Sequence, residues 1–213
     1  VDPKSGDCRL LFTEMDAAWV DVAAGDLVWR ADGEHFFWTS ERDGWRHLWS
    51  VSAKSGEATL LTPGDYDVIE IAALDERGGR LYVIASPDNA TQRSLHMVSL
   101  KDGKRRPLTP GSLAGWNEYQ VSPGGQWALH TRSTFDRAPR IALVSLPGHA
   151  TLSTFVDNAA LNAELSKLER GERRFITAEV DPGVSLDGWM MLPPDFDEKK
   201  KYPVLTYVYG ENG

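Results

Sequence analysis

Short apolar stretches recur along this chain at nearly even intervals, each rich in aromatic and β-branched residues and each next to a glycine turn. EHFFWTS, RLYVIAS and QWALHTR follow such turns; RHLWSVS, SLHMVSL and RIALVSL precede the next. Together with YDVIEIAAL and NEYQVS they predict about four strands per repeat. A turn KSGD at 4–7 returns as KSGE at 54–57, KDGK at 101–104 and, more weakly, LPGH at 146–149. Its glycines, Gly6, Gly56, Gly103 and Gly148, are spaced by 50, 47 and 45 residues. After each comes a short strand ending in threonine: RLLFT to Thr13, ATLLT to Thr62, RPLT to Thr109, ATLST to Thr154. A second series, Asp32-Gly33, Gly78-Gly79 and Gly124-Gly125, runs in steps of 46.

Two turn series in phase at this period are the pattern of β-propeller blades, whose unit is a four-stranded antiparallel sheet. A sandwich of short strands has no reason to repeat its turn chemistry. Only three full repeats and the end of a fourth fit before Thr154, whereas a closed ring takes about four blades or more. An open arc is therefore expected, the front part of something larger. The opening, Val1-Asp2-Pro3-Lys4, reads as a strand end entering a turn, which suggests truncation there as well.

After Asp157 the period breaks. Leu161, Leu165 and Leu168 form a helical stripe, with Asp157 or Asn158 to cap it and Gly171 to end it. RFITAEV and LDGWMMLP read as two strands, and PPDFDEKKK as a polar connection. The closing KYPVLTYVYGENG holds a near-continuous apolar run at 204–209, the mark of a strand covered on both faces. The expected organisation is blades over 1–157, a linker helix over 158–174 and a new domain from 175 to 213.

Charge narrows the function. With 23 Lys and Arg against 31 Asp and Glu the net charge is −8. Basic residues cluster only at 104–106 and 199–201, so nucleic acid is excluded as a partner. Cys8 is alone, which leaves no intrachain disulfide and no cysteine metal site. No metal or other cofactor is expected. No stretch approaches a membrane span, and no signal peptide opens the sequence.

Catalytic motifs are scarce. The nearest approach to a G-x-S-x-G elbow is Gly183-Val184-Ser185-Leu186-Asp187, which lacks the last glycine and lies between antiparallel strands, so Ser185 reads as a loop serine. His47, His96 and His130, one per repeat, read as packing or hydrogen-bonding residues. The cluster Glu41, Arg42, Asp43, Arg46 and His47 in SERDGWRHLW suits either a substrate-facing group or a blade-edge ion-pair network, the second being preferred. Asn89-Ala90-Thr91 matches a glycosylation sequon. Trp19, Trp38, Trp49, Trp116 and Trp127 are expected to fill space between blades.

A propeller, a linker helix and then GWMMLPPDFDEKKKYPVLTYVYG resemble the prolyl oligopeptidase family of serine peptidases. ERDGWRHLW, YDVIEIAAL and VDNAALNAEL place the resemblance in its dipeptidyl peptidase IV branch. It covers nearly the whole chain. It implies an eight-bladed propeller capping an α/β-hydrolase domain, with peptide substrate in the cavity between them. It also implies release of N-terminal X-Pro or X-Ala dipeptides. The chain would then hold the last three to four blades and the first hydrolase strands, and nothing of the nucleophilic Ser, Asp and His. The paired Glu that hold the substrate amine would lie upstream of Val1. The family's oxyanion tyrosine falls on Tyr209; no other substrate-binding residue is assigned. After Gly210 the family continues with Gly-Gly-Pro or a close variant, whereas this chain has Glu211-Asn212-Gly213. The missing remainder, or a second copy of the chain, is the expected partner. The resemblance favours a periplasmic or secreted location and leaves a cytoplasmic one open. A non-catalytic propeller module for protein or ligand binding is the alternative.

Overall fold

The computed structural model describes residues 4–21 and 27–207. The chain divides into two compact units, Val1–Thr134 with Pro139–Asp157, and Phe135–Ala138 with Asn158–Gly213. The first unit contains three four-stranded sheets, each with its strands neighbouring in chain order. They are β1 (Val28–Trp29), β2 (His35–Ser40), β3 (His47–Ser52) and β4 (Ala58–Leu60); β5 (Val68–Asp75), β6 (Arg80–Ala85), β7 (Ser94–Ser99) and β8 (Arg105–Pro107); and β9 (Trp116–Val121), β10 (Trp127–Thr134), β11 (Arg137–Ser145) and β12 (Thr151–Val156). The mainly β architecture of repeated antiparallel blades is the expected one.

The turn chemistry explains the repeat. Gly33, Gly79 and Gly125 sit at φ of 70, 64 and 63°. Their N–H groups donate to the carbonyls of Arg30, Glu76 and Ser122. At the other end of each blade Gly56 donates to Ser52 and Gly103 to Ser99. In the third blade the corresponding donor is His149, bonded to Ser145, and it is His149 that takes positive φ, 56°. The structural repeat therefore runs through 56, 103 and 149, and Gly148 is not the equivalent glycine.

The recurrent threonines also gain a role. Thr62 accepts the Leu48 N–H at 2.8 Å, and Thr109 accepts the Leu95 N–H at the same distance. Thr154 departs from this pattern and accepts from the Arg140 guanidinium at 2.6 Å. Residues 9–13, expected as a strand, form none, because they join no ladder among the described residues. They are held instead by Arg9, which donates to the carbonyls of Lys54 and Ala53.

Two cores separate the three blades. One is built from Phe37, Leu48, Tyr66, Val68, Leu81, Val83 and Val98, the other from Tyr82, Ile84, Leu95, Tyr119, Ala128 and Val144. Strand β6 feeds both: Leu81, Val83 and Ala85 face one, Tyr82 and Ile84 the other. Three of the five tryptophans behave otherwise than expected. Trp19, Trp116 and Trp127 are 62, 43 and 47% exposed, and Trp19 lies outside any strand. Aliphatic side chains, Tyr82 and Phe37 fill the space between sheets instead.

The second unit has one helix, α1 (Ala159–Leu165), and a hairpin of β13 (Arg173–Asp181) and β14 (Val184–Met191). The helix stops a turn before Leu168, which is 60% exposed. Without burial of its stripe a helix this short gains little from further turns. Its N-cap is Asn158, in left-handed conformation and without a side-chain capping bond. Phe135 packs against Phe175 and Trp189 at ring-centroid distances of 5.4 and 5.1 Å, and Asp136 pairs with Arg173. The strand expected at 204–209 is absent as far as Tyr207: Val204, Leu205 and Tyr207 are 86, 96 and 86% exposed, and no ladder forms. A strand needs a partner for its N–H and C=O groups, and none of the described residues supplies one. Val208 and the rest of the run lie outside the described residues. No helix among them is long and apolar enough to cross a membrane.

Candidate functional site

Residues 11–21 run irregularly across the first blade and close a cleft over the end of β2. Glu14 anchors the segment. Its carboxylate accepts from Trp38 Nε1 at 3.1 Å, from Ser40 Oγ at 2.9 Å and from the Arg42 guanidinium. Arg42 is fixed from its other sides by the rings of Phe12 and Trp49, at 5.4 and 5.1 Å. Such cation–π contacts favour a guanidinium held flat against a ring. Asp16 then turns the chain: its Oδ1 accepts the N–H groups of Ala18 at 2.7 Å and Trp19 at 3.2 Å. Those two bonds hold its carboxyl below the ordinary aspartate range. The Trp19 indole is tethered in turn, its Nε1 donating to Asp21 at 3.0 Å. The wall thus carries an exposed indole, exposed Met15 and several carboxylates.

The SERDGWRHLW cluster is divided by the fold. Arg42, Glu41 and Arg46 line the cleft. Asp43 and His47 do not. His47 is buried, with Nδ1 2.8 Å from Asp43 and Nε2 2.8 Å from the Gly64 carbonyl, which fixes the loop after β4. The Arg46 N–H donates to Asp67 at 2.9 Å. Glu14 escaped sequence reasoning because it belongs to no motif and its partners lie 24 to 28 residues away.

His96, His130 and His149 are also structural, though not at equivalent positions. Leu48 and Leu95 correspond through their threonine bonds, so His47 matches Ser94 and not His96. His96 accepts from Arg105 at Nδ1, 2.9 Å, which leaves Nε2–H to donate to Ser94 Oγ at 2.8 Å. Burial, and then Arg105, depress its pKa to about 4. Between the second and third blades Tyr119 stacks on His130 with centroids 4.5 Å apart. The Tyr119 hydroxyl lies 2.7 Å from both Thr109 Oγ1 and His149 Nε2. His130 donates from Nε2 to Asn117 Oδ1 at 2.7 Å, since the Asn117 amide nitrogen already serves the carbonyls of Arg93, Leu113 and Gly115. Burial first, and then the neighbouring His149, lower His130 to about 4. Burial raises the Tyr119 phenol well above its usual range. A neutral, saturated cluster of this kind orders a core.

Ser185 lies on β14 opposite Glu179 in the antiparallel hairpin, which is not the strand-to-helix geometry of a nucleophile elbow. Tyr209 lies outside the described residues. Asn89 is exposed, its Oδ1 accepting from Thr91 Oγ1 at 2.7 Å. Cys8 is exposed too. Asp32, Glu34 and His35 bring donor atoms within 4.8 Å of one another on the first β1–β2 turn, where Asp32 also pairs with Arg30 at 3.4 Å.

Comparison with known proteins places the fold and the family. Over 94% of its length the chain superposes on 28% of a crystal structure of Porphyromonas gingivalis dipeptidyl peptidase 4, with a TM-score of 0.82 at 24% identity. A probable dipeptidyl peptidase 4 of Aspergillus fumigatus is 30% identical over 181 residues, 84% of this chain and 23% of that protein. A probable dipeptidyl-aminopeptidase B of Neosartorya fischeri is 30% identical over 230 aligned residues, 100% of this chain and 24% of that protein. The chain spans about a quarter of the length of the curated relatives it matches. Residues 1–139 match the family described as the dipeptidyl peptidase IV (DPP IV) N-terminal region. The chain, by its three blades and by this match, belongs to the dipeptidyl peptidase IV family.

Proposed function

We propose that this chain is a section of a serine exopeptidase that releases X-Pro or X-Ala dipeptides from the free N-termini of peptides. In this reading residues 1–157 are the last blades of the propeller, 158–174 a linker and 175–213 the opening of the α/β-hydrolase domain. The observation that carries it is the match of residues 1–139 to the dipeptidyl peptidase IV N-terminal region. The nucleophilic serine, its histidine and its aspartate belong to the remainder of the parent, so the chain alone is inactive. Tyr209 supplies a phenolic donor to the oxyanion, where charge develops in the transition state.

The test uses both the chain and its complete parent. The parent is expected to hydrolyse chromogenic X-Pro and X-Ala substrates and to be stopped by a serine-directed phosphonate; the chain alone is expected to do neither. Tyr209→Phe in the parent should lower kcat by about a hundred- to a thousandfold, roughly 3–4 kcal/mol, with KM nearly constant. A destabilised variant with unchanged kcat would remove Tyr209 from the mechanism. A parent indifferent to the phosphonate would remove the serine mechanism.

A further inference from the structure

Between the second and third blades, residues 86–94 and 107–117 border a cavity of about 260 Å³. That is far more than a water's share of ~30 Å³ and close to the ~300 Å³ at which small-ligand clefts begin. Arg93 and Asp88 are the two charged side chains that line it. Arg93 is half-buried, and its guanidinium lies over the Trp116 ring, 3.7 Å from the centroid. That contact holds the fork flat but offers its N–H groups no acceptor in the plane. Among the described residues the Arg93 guanidinium has no hydrogen bond and no ion pair. Arg80, Arg105 and Arg132, also half-buried, are bonded to Asp75, to His96 and to the carbonyls of Leu113 and Ala114. Arg93 thus stands at the cavity with five donors and nothing of this chain to receive them.

The rest of the wall has the same surplus. Gln92 Oε1 accepts the Gly115 N–H at 3.2 Å, and Asn89 Oδ1 accepts the Thr91 N–H at 2.9 Å. A backbone N–H can only donate, so both amides are fixed with their oxygens inward, and both NH₂ groups are left over. The acceptors of the wall are meanwhile consumed. The carbonyls of Arg93, Leu113 and Gly115 receive the Asn117 amide, and that of Ala114 receives Arg132. A lining with spare donors and few spare acceptors suits a ligand that only accepts. Asp88 balances Arg93, so a single negative charge fits better than a phosphate dianion. The planar fork matches a carboxylate bidentately. We propose that this cavity binds a carboxylate of a peptide, with Arg93 as its charged contact and the Gln92 and Asn89 amides as flanking donors. The choice of a peptide rests on the peptidase reading above; the choice of a carboxylate rests on the cavity alone.

The experiment is isothermal titration of the 213-residue chain with three peptides: Ala-Pro-Gly-Gly amide, the same peptide as its free acid, and Ala-Pro-Glu-Gly amide. The first has no carboxylate, the second a terminal one and the third a side-chain one. At least one carboxylate peptide is expected to bind about tenfold or more tighter than the first, with the difference shrinking in high salt, and the tighter of the two identifies the source of the group. The chain carries a net charge of −8, so attraction of an anion must be local. Arg93→Gln should remove the preference. Gln92→Glu should remove it too, since it keeps an oxygen for the Gly115 N–H and turns the spare donor into a second oxygen; it serves if Arg93→Gln unfolds, which circular dichroism detects. Arg77→Gln, on the exposed turn at the other end of β6, should keep it. Equal affinity for the three peptides, no saturable binding, or a preference that survives both Arg93→Gln and Gln92→Glu would overturn the proposal. These outcomes are independent of catalysis: a parent that cleaves X-Pro substrates while this cavity ignores carboxylates keeps the peptidase reading and loses this one.

Discussion

At the scale of single residues, polar groups inside the blades do more to define the fold than the exposed charges do. Thr62 and Thr109 each take up a backbone N–H at the third strand of their blade. Thr62→Val and Thr109→Val keep shape but strand that donor, so each is expected to cost about 1–3 kcal/mol. Thr154→Val, an exposed residue whose hydroxyl meets the Arg140 guanidinium, should stay within about 0.5 kcal/mol. Urea titrations of the three variants provide the comparison. The buried histidines make a pH prediction. In the unfolded chain a histidine takes its proton near pH 6.5. His96 and His130 do so only near 4 in the fold, mainly because burial penalises the imidazolium. Between those values the unfolded state binds more protons, so stability is expected to fall as pH drops from 6.5 towards 4. The loss approaches roughly 3 kcal/mol per histidine at its limit. Thermal melts from pH 7 to 4 read it directly, and His96→Gln should flatten the curve; a melting temperature constant over this range would contradict the assignment.

At the scale of elements, the hairpins were legible because glycine at positive φ leaves a mark no other residue matches. The blade strands followed from the alternation between those turns. What the sequence could not convey was which apolar side chains would be covered. Trp116 and Trp127 occupy strands as expected, yet the faces they occupy remain open, and burial depends on what stands opposite. The His149 turn was missed for a related reason: the position is defined by its bond to Ser145, and Gly148 beside it drew the assignment. In the cleft, Arg42 was visible within a charged run, whereas Glu14 needed the fold to bring it there. Strand β6 shows a further limit. Apolar on both faces, it has no polar alternation to oppose a one-residue slip. Its register is kept by size, since Tyr82 reaches the Gly125 carbonyl at 2.9 Å and a Cβ on Gly125 would fall on the Tyr82 ring. Gly125→Ala is therefore expected to cost about 1–3 kcal/mol more than Gly33→Ala. Gly33 has similar φ but open space around it, and should show only the conformational penalty of about 1–2 kcal/mol. Equal losses in chemical denaturation would show that Tyr82 is not the lock.

At the scale of the whole molecule, apolar side chains stay uncovered in each of the two units. Phe155, Phe175, Trp189 and Met191 are each more than half exposed, and Val204 and Leu205 almost fully so. Surfaces of this kind drive association. The chain is expected to self-associate in sedimentation velocity, with sedimentation coefficient rising with concentration. Val204→Lys with Leu205→Lys should weaken that association; a concentration-independent monomer would rule it out. The ties between blades have another consequence. Arg9 reaches Ala53, Arg30 reaches Glu76, and Tyr82 reaches Gly125, so each spans close to one repeat, 44, 46 and 43 residues. Each blade therefore completes its contacts with its neighbour as soon as one more repeat of chain exists. Loops of similar, moderate length carry similar closure entropy. Assembly can proceed in one direction as the polypeptide leaves the ribosome, every finished blade serving as the surface on which the next condenses.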